Sequence, residues 1–407
     1  VYRRKDDRRA FDDLLQTLVL NAFTVFPKTS KYPISVLQFC IREMRAIGNY
    51  SPSALSGAYR SLFVLLDVYR QQTLPYVNES ERVSFIEESR SILDEFAAFV
   101  LDGGKQETAL VQLLFDELQR NKGLVLKSIS ETRRAVDASL DPVLGMRFAE
   151  LSSKKSELAN LMNQSPESQA TTIAQTTRLQ AEIDALEKEI AMKTGEGRMV
   201  KADTASGWKA LQRRLKPGQA AMEMLRCKGC PLGPSYLALI VKPEWTAPRL
   251  VSVPDALFKE GRGLNFYRNA IRARITDTIS YRTYWKEIGS QLAVVKRLWI
   301  SPDGVYHLIS LPVLFDKASN RFLDDAYEII AVNSTADLLI NAREPEFSGS
   351  AVLLGFPDFG SPQPSSATST ADRRADLNDV PPLPGTEQEL LTVSAAMSRS
   401  KIGRAHV

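Results

Sequence analysis

The hydrophobic period of this chain changes once, at Pro217-Gly218, and that change limits the folds open to it. Before it, apolar residues recur at helical spacing. Phe11, Leu14, Leu15, Leu18 and Leu20 follow that spacing, as do Val36, Phe39, Cys40 and Met44. Ala58, Leu62, Leu65 and Leu66 share one face of a segment from Ala54 to Gln71. Asn78 and Glu81 form a capping arrangement before a helix through Phe85, Ile92, Leu93, Phe96 and Phe99. Gly103-Gly104 stops that helix, and Thr108 to Gln119 begins another. After Gly218, short apolar runs bounded by turn residues take over. Ala220 to Arg226, Tyr236 to Val241 and Arg249 to Val253 read as strands. So do Arg297 to Ser301, Tyr306 to Ile309, Glu328 to Val332 and Ala351 to Phe356. Helical segments at Gly263 to Asp277, Tyr281 to Gln291 and Ala336 to Arg343 lie among them. Strands mixed with helices indicate an α/β layer structure behind a helical region.

The helical half has one well-marked piece. Leu151, Leu158, Leu161 and Met162 make one stripe, and Leu179, Ile183, Leu186 and Ile190 make a second. Ser165-Pro166-Glu167 between them is a helix start, with a cap, a proline in the first turn and an acid at the positive end. Residues 146–193 therefore read as a helical hairpin with a short coiled-coil-like seam. The seam is too short for a dimeric coiled coil, so an intramolecular hairpin is expected. For residues 1–105 a degenerate, tetratricopeptide-like repeat array and an irregular bundle both fit the pattern. A short helix at Ala205 to Leu215 precedes the change of period.

Leu298 to Leu314, LWISPDGVYHLISLPVL, places Pro302-Asp303-Gly304 turn chemistry between two apolar runs. Tyr327 to Ser334 follows, then the strand Ala351 to Phe356. A Pro/Ser-rich loop leads to Leu383-Pro384-Gly385-Thr386-Glu387-Gln388-Glu389-Leu390, in which Thr386 and Glu389 form a capping box. This ordered series, over roughly residues 200–398, resembles the first half of the CHAT domain, a caspase- and separase-like cysteine peptidase module usually preceded by helical repeats. The resemblance implies an N-terminal fragment of such a protein, whose parent is a peptidase or peptidase-like regulator using a His/Cys dyad. The family's catalytic histidine sits in a later His-x-x-x-His-Gly-like stretch and its cysteine later still, and this chain contains neither segment. The expectation is a chain truncated at both ends. Ile402 to Val407 is expected to be non-native, because Ile-Gly-Arg-Ala-His-Val resembles the translation of a common sequencing-adapter read.

Composition narrows the chemistry. The 52 basic and 48 acidic residues are interspersed, so nothing invites nucleic acid or an anionic membrane. Arg213-Arg214 and Arg373-Arg374 are too short to make a nucleic-acid patch. No apolar run reaches a membrane span. Three cysteines point to a reducing compartment, hence a cytoplasmic location. Two histidines leave few bases for a nucleophile. Cys227-Lys228-Gly229-Cys230 has the spacing of a zinc half-site or a reactive disulfide. No second pair follows, so two incidental cysteines in a hairpin connection are expected, without metal. His307 follows the Pro-Asp-Gly turn on a strand, with no nucleophile beside it. Asp303, Asp324 and Asp325 lack a calcium-loop frame and read as turn residues. Cys40 has the spacing of a core position, and His406 lies in the suspect tail.

The reading is thus α + α/β: a helical region (1–105), a helical linker with its hairpin (106–200), the N-terminal part of an incomplete caspase-like α/β domain with a mixed sheet (201–401), and a tail (402–407). No residue is assigned as catalytic, cofactor-binding or metal-ligating. Protein partners or a protein substrate are expected at the helical region. The alternative is a non-enzymatic helical scaffold with an α/β interaction domain.

Overall fold

In the computed structural model the described residues are 30–48, 50–102, 107–122, 124–139, 141–163, 169–195, 207–339 and 385–399, with isolated positions before 30. The chain divides into two compact units, Val1–Ile340 and Asn341–Val407. In the second, the helix Thr386–Arg399 is described. The expected strand Ala351 to Phe356, the loop after it, the tail Ile402 to Val407 and most of the first expected helix lie outside the described residues.

The first unit opens with helices α1 (Lys31–Ile47), α2 (Pro52–Gln72), α3 (Glu79–Asp102), α4 (Thr108–Asn121) and α5 (Leu124–Ser139). Their starts are sequence-encoded. The Ser30 side chain caps α1, Ser51 caps α2 with Pro52 in its first turn, and Asn78 and Glu81 bond reciprocally at the head of α3. Gly48, at φ 72°, closes α1 in the left-handed conformation that glycine adopts without strain. Ile34, Ile41, Leu62, Leu66, Phe85, Ile92, Phe96, Leu114 and Phe115 fill the space between these helices. A buried carboxylate, Glu117, is held there by Arg70 and Arg120.

Helices α6 (Pro142–Asn163) and α7 (Gln169–Gly195) pack on each other as the expected hairpin. Leu144, Leu151, Leu179, Ile183, Leu186 and Ile190 form their shared seam. The hairpin is pinned to the head of α3. There Glu187 accepts the Glu79 backbone N–H at 2.7 Å, and Lys155 lies 2.7 Å from both Glu79 and Glu187. A carboxylate at the positive end of a helix is favoured by the helix dipole.

Helix α8 (Trp208–Arg214) leads into a five-stranded mixed sheet of order β3-β2-β1-β4-β7. The strands are β1 (Gln219–Cys227), β2 (Ser235–Val241), β3 (Arg249–Val253), β4 (Arg297–Ser301) and β7 (Glu328–Ala331). A two-residue ladder, β5 (Phe315–Asp316) with β6 (Arg321–Phe322), stands apart. β1, β2 and β3 form an antiparallel meander, while β1, β4 and β7 run parallel. The fold is α + α/β.

The sheet is a middle layer. Ala221, Leu225, Leu237, Leu239 and Val241 face the N-terminal helices. Ala220, Met222, Met224, Tyr236, Ala238 and Ile240 face the other way, onto helix α9 (Leu264–Ala273) and the aromatic pair Tyr284-Trp285. That double burial is why β2 reads as a continuous apolar run, and β1 as one broken by Glu223, instead of alternating strands. Each fully buried Leu or Ile there contributes about 1.5–3 kcal/mol.

Four expected elements differ. The segment expected as a strand at Tyr306 to Ile309 enters a 3-10 turn, Gly304–His307. β4 is already paired on both sides, so the chain beyond it cannot fold back as a hairpin partner. The helix expected to Asp277 ends at Ala273, where Arg274 turns left-handed at φ 53°. The helix expected over Tyr281 to Gln291 is two short pieces, Ser280–Tyr284 and Lys286–Gly289, broken as the large Trp285 turns into the core. The helix expected from Ala336 is a 3-10 turn, Thr335–Leu339, within the described residues.

Candidate functional site

The polar side chains of several segments converge where β4 ends, at Ser301-Pro302-Asp303-Gly304-Val305. Glu223 of β1 stands directly beside Ser301 in the parallel register. By the alternation of the strand it belongs to the face that meets the helices, and it is wholly buried. Its Oε1 accepts from the Thr335 N–H at 2.6 Å, the Thr335 hydroxyl at 2.8 Å and the Ser334 hydroxyl at 3.4 Å. Its Oε2 faces the Lys122 ammonium at 3.2 Å. Lys122, at the end of α4, also donates to the Ser301 carbonyl at 2.8 Å, the Ser301 hydroxyl at 2.9 Å and the Pro302 carbonyl at 3.1 Å. Gln119, one turn earlier, donates to the Thr335 hydroxyl, while its own side-chain oxygen accepts the Gly207 N–H.

A second set of contacts surrounds Asp303. Arg90 of α3 pairs with its carboxylate and also donates to the Arg226 carbonyl. The Arg226 N–H donates to the same carboxylate oxygen at 2.6 Å. The Arg226 guanidinium grips Glu260 with two nitrogens. Tyr236 donates to Glu260 at 2.6 Å and accepts the Val305 N–H at 2.8 Å. Glu260 reaches this position because Lys259–Gly263 forms a π-helical turn ahead of α9. A side chain at Gly263 would meet the Tyr284 hydroxyl at 2.9 Å and the Phe258 carbonyl at 3.2 Å, so the turn needs glycine there. Such π turns recur at functional positions.

The electrostatics follow from burial and pairing. Desolvation pulls the Lys122 ammonium below its ordinary value, against the pull of Glu223 and Asp303. Hydrogen bonds from Arg226 hold the Glu260 carboxyl below the usual range. Burial raises the Asp94 carboxyl on α3, an effect that Arg90 and Lys228 oppose. Burial also raises the Tyr236 hydroxyl. In chemical terms, the carboxyl end of β4 is an array of one buried and two half-buried ion pairs that fastens two N-terminal helices to the sheet.

Cys227 and Cys230 are not incidental: they are bonded to each other as a disulfide across the β1–β2 connection. The strand register brings Cys227 opposite Ser235 and folds the Lys228-Gly229 link tightly enough for the two sulfurs to meet. Cys40 is buried in α1 against Val36, Met44, Ile47 and Tyr50, and burial raises its thiol. His307 is exposed at the end of the 3-10 turn Gly304–His307. Asp324 and Asp325 sit in the turn after β6, as turn residues do, whereas Asp303 pairs with Arg90 and accepts the Arg226 N–H. Its backbone closes the turn while its side chain is drawn in by Arg90. Among the described residues, no group of three or more His, Cys, Asp or Glu side chains converges to hold a metal. No described helix is long and apolar enough to cross a membrane.

Sequence reasoning missed Lys122, Glu223, Arg90, Arg226, Glu260 and Thr335. One signal was present: Glu223 interrupts the apolar run Ala220 to Leu225, and a charge inside a doubly buried strand needs a partner. No family model matches the chain. No curated protein matches it either.

Proposed function

We propose that this chain is the helical region and the first part of the α/β domain of a CHAT-like protein, a caspase-like cysteine peptidase or peptidase-like regulator. Its His/Cys dyad is supplied by sequence outside residues 1–407. The observation that carries the reading is the parallel set β1-β4-β7 with its carboxyl ends at the Pro302–Gly304 loop, onto which helices α3 and α4 are locked. Parallel α/β sheets place their chemistry at the carboxyl ends of strands. The likeness to peptidases is one of fold and motif order.

In this reading the helical region binds protein partners or substrate, and Arg90 and Lys122 relay its position to the strand ends. A cytoplasmic location belongs to the same proposal, as does the inactivity of residues 1–407 alone: Cys40 is buried, Cys227 and Cys230 are bonded to each other, and His307 lies on a surface turn.

The test is expression of the complete reading frame that contains this chain, followed by labelling with a thiol-directed peptidyl probe. Labelling of a cysteine outside residues 1–407, lost when a strand-end histidine is replaced, supports the peptidase. No label, and no cleavage across a broad peptide library, moves the protein to the scaffold class. Turnover by residues 1–407 that disappears on Cys→Ala at position 40, 227 or 230 overturns the reading.

A further inference from the structure

The Cys227–Cys230 bridge lies one residue from Arg226, the residue that joins α3, the Asp303 loop and the π turn through its carbonyl, its N–H and its guanidinium. Asp94 of α3, one turn after Arg90, is half-buried and faces the Lys228 charge, which opposes the effect of burial on its carboxyl. Arg90 of α3 thus holds both the Arg226 carbonyl, next to the bridge, and the Asp303 carboxylate of the β4 loop.

Its architecture is poorly suited to a purely stabilising role. Only two residues separate the cysteines, and a bridge that closes so short a loop removes little entropy from the unfolded chain. The hairpin it closes already has seven paired positions. The chain has three cysteines in all, so it is not a disulfide scaffold. In the cytoplasmic location proposed above, a bridge in a cysteine-poor chain is usually transient and catalytic or redox-sensing. Cys-x-x-Cys is also the spacing of disulfide-exchange motifs.

We propose that Cys227 and Cys230 are a reversible redox pair, exchanged with a dithiol reductant, whose state sets how firmly α3 holds the Asp303 loop at the end of β4. Its consequence rests on the reading above, that this strand end is the working end of the domain; the redox chemistry is tested separately from it. Cys230 retains 7% of its surface and Cys227 none, so the incoming thiolate attacks the Cys230 sulfur. A mixed disulfide forms as the bond between the two cysteine sulfurs breaks, and Cys227 leaves as a thiolate and takes up a proton. The second thiol of the reductant then displaces Cys230, which also gains a proton. The pair is reduced by two electrons, and the reductant is oxidised by the same two to its own disulfide. With the bridge open, the end of β1 at Cys227 is no longer tied to Cys230, and the grip through Arg226 loosens.

The experiment is on the whole chain, equilibrated with oxidised or with reduced dithiothreitol. Alkylation in denaturant followed by intact mass counts the free thiols. Amide hydrogen exchange reads residues 226–235 and 301–306, with α1 as the internal reference. The expected result is one alkylated thiol, Cys40, in the oxidised protein and three in the reduced one. Exchange at both segments should be about tenfold faster on reduction, with α1 unchanged. The Cys227→Ser/Cys230→Ser variant should show the fast pattern whatever the reductant. The inference is overturned by three alkylated thiols after oxidation, or by reduction that leaves exchange at 301–306 unchanged. If the double variant does not fold, the comparison of the two states of the unmodified chain still decides. Neither readout depends on peptidase activity.

Discussion

Replacing Lys122 by methionine tests whether the β4 end is held by buried charge. The ammonium and Glu223 Oε2 are 3.2 Å apart, and an effective dielectric of about 20 gives about 5 kcal/mol of attraction at that distance. Desolvating each ion costs several kcal/mol, so the pair contributes little net. Removing one member alone is different. Glu223 would keep its bonds from Thr335 and Ser334 on Oε1, but Oε2 would be left buried and charged without a partner. Loss of about 3–5 kcal/mol is expected. With a urea m-value of about 3 kcal/mol per M, the midpoint falls by roughly 1–1.7 M. Adding Glu223→Gln should recover most of that loss. The glutamine oxygen still accepts from Thr335, and its amide replaces the charged oxygen. Urea denaturation followed by tryptophan fluorescence gives both numbers. The pH dependence has a definite sign. The native Lys122 value lies below the ordinary 10.5, so the unfolded chain binds that proton more tightly in the window between them. Stability contributed by this group rises with pH across that window, and Lys122→Met should abolish the rise. A cost under about 1 kcal/mol for Lys122→Met, or a double variant no more stable than the single one, refutes the reasoning.

Three further outcomes follow from the same geometry. Asn78→Ala removes one half of the box that heads α3, and should cost about 1 kcal/mol in a thermal melt, with the sheet intact by circular dichroism. Gly304→Ala forces an alanine to φ 52° and its Cβ onto the Tyr236 hydroxyl; a loss of at least about 2 kcal/mol by urea titration is expected, and a neutral result would exclude that crowding. Glu260 has a native value below its ordinary 4.5, so the stability it adds is complete above 4.5 and is lost as pH falls through the lower native value. Glu260→Gln should flatten the acid limb of the stability profile, and an unchanged limb counts against the Arg226 clasp.

Legibility in the sequence followed the range of the interaction. The cap at Asn78 acts within three residues, so the sequence marked it, whereas the equally local caps at Ser30 and Ser51 came only with the structure. The α6–α7 seam was legible from Leu179, Ile183, Leu186 and Ile190, because a helix repeats its buried face at fixed spacing. β1 and β2 were legible as strands from short apolar runs bounded by turn residues, with Glu223 alone interrupting the run Ala220 to Leu225. The segment after the Pro-Asp-Gly turn was misread as a strand, since its apolar residues Val305, Tyr306 and Ile309 are buried by packing under the sheet and not by pairing in it. Periodicity cannot separate those two kinds of burial over so few residues.

The sequence by itself determined the capped start of α3, where the period changes at Gly218, and that a mixed α/β layer follows. The tertiary structure decided what the polar residues do. Lys122 and Ser301 are 179 residues apart, and Arg90 and Asp303 are 213 apart. No local pattern links such pairs. They meet because the parallel register sets Glu223 beside Ser301 and the helical layer covers that face of the sheet. A buried charge takes its partner from whatever element the packing brings within reach.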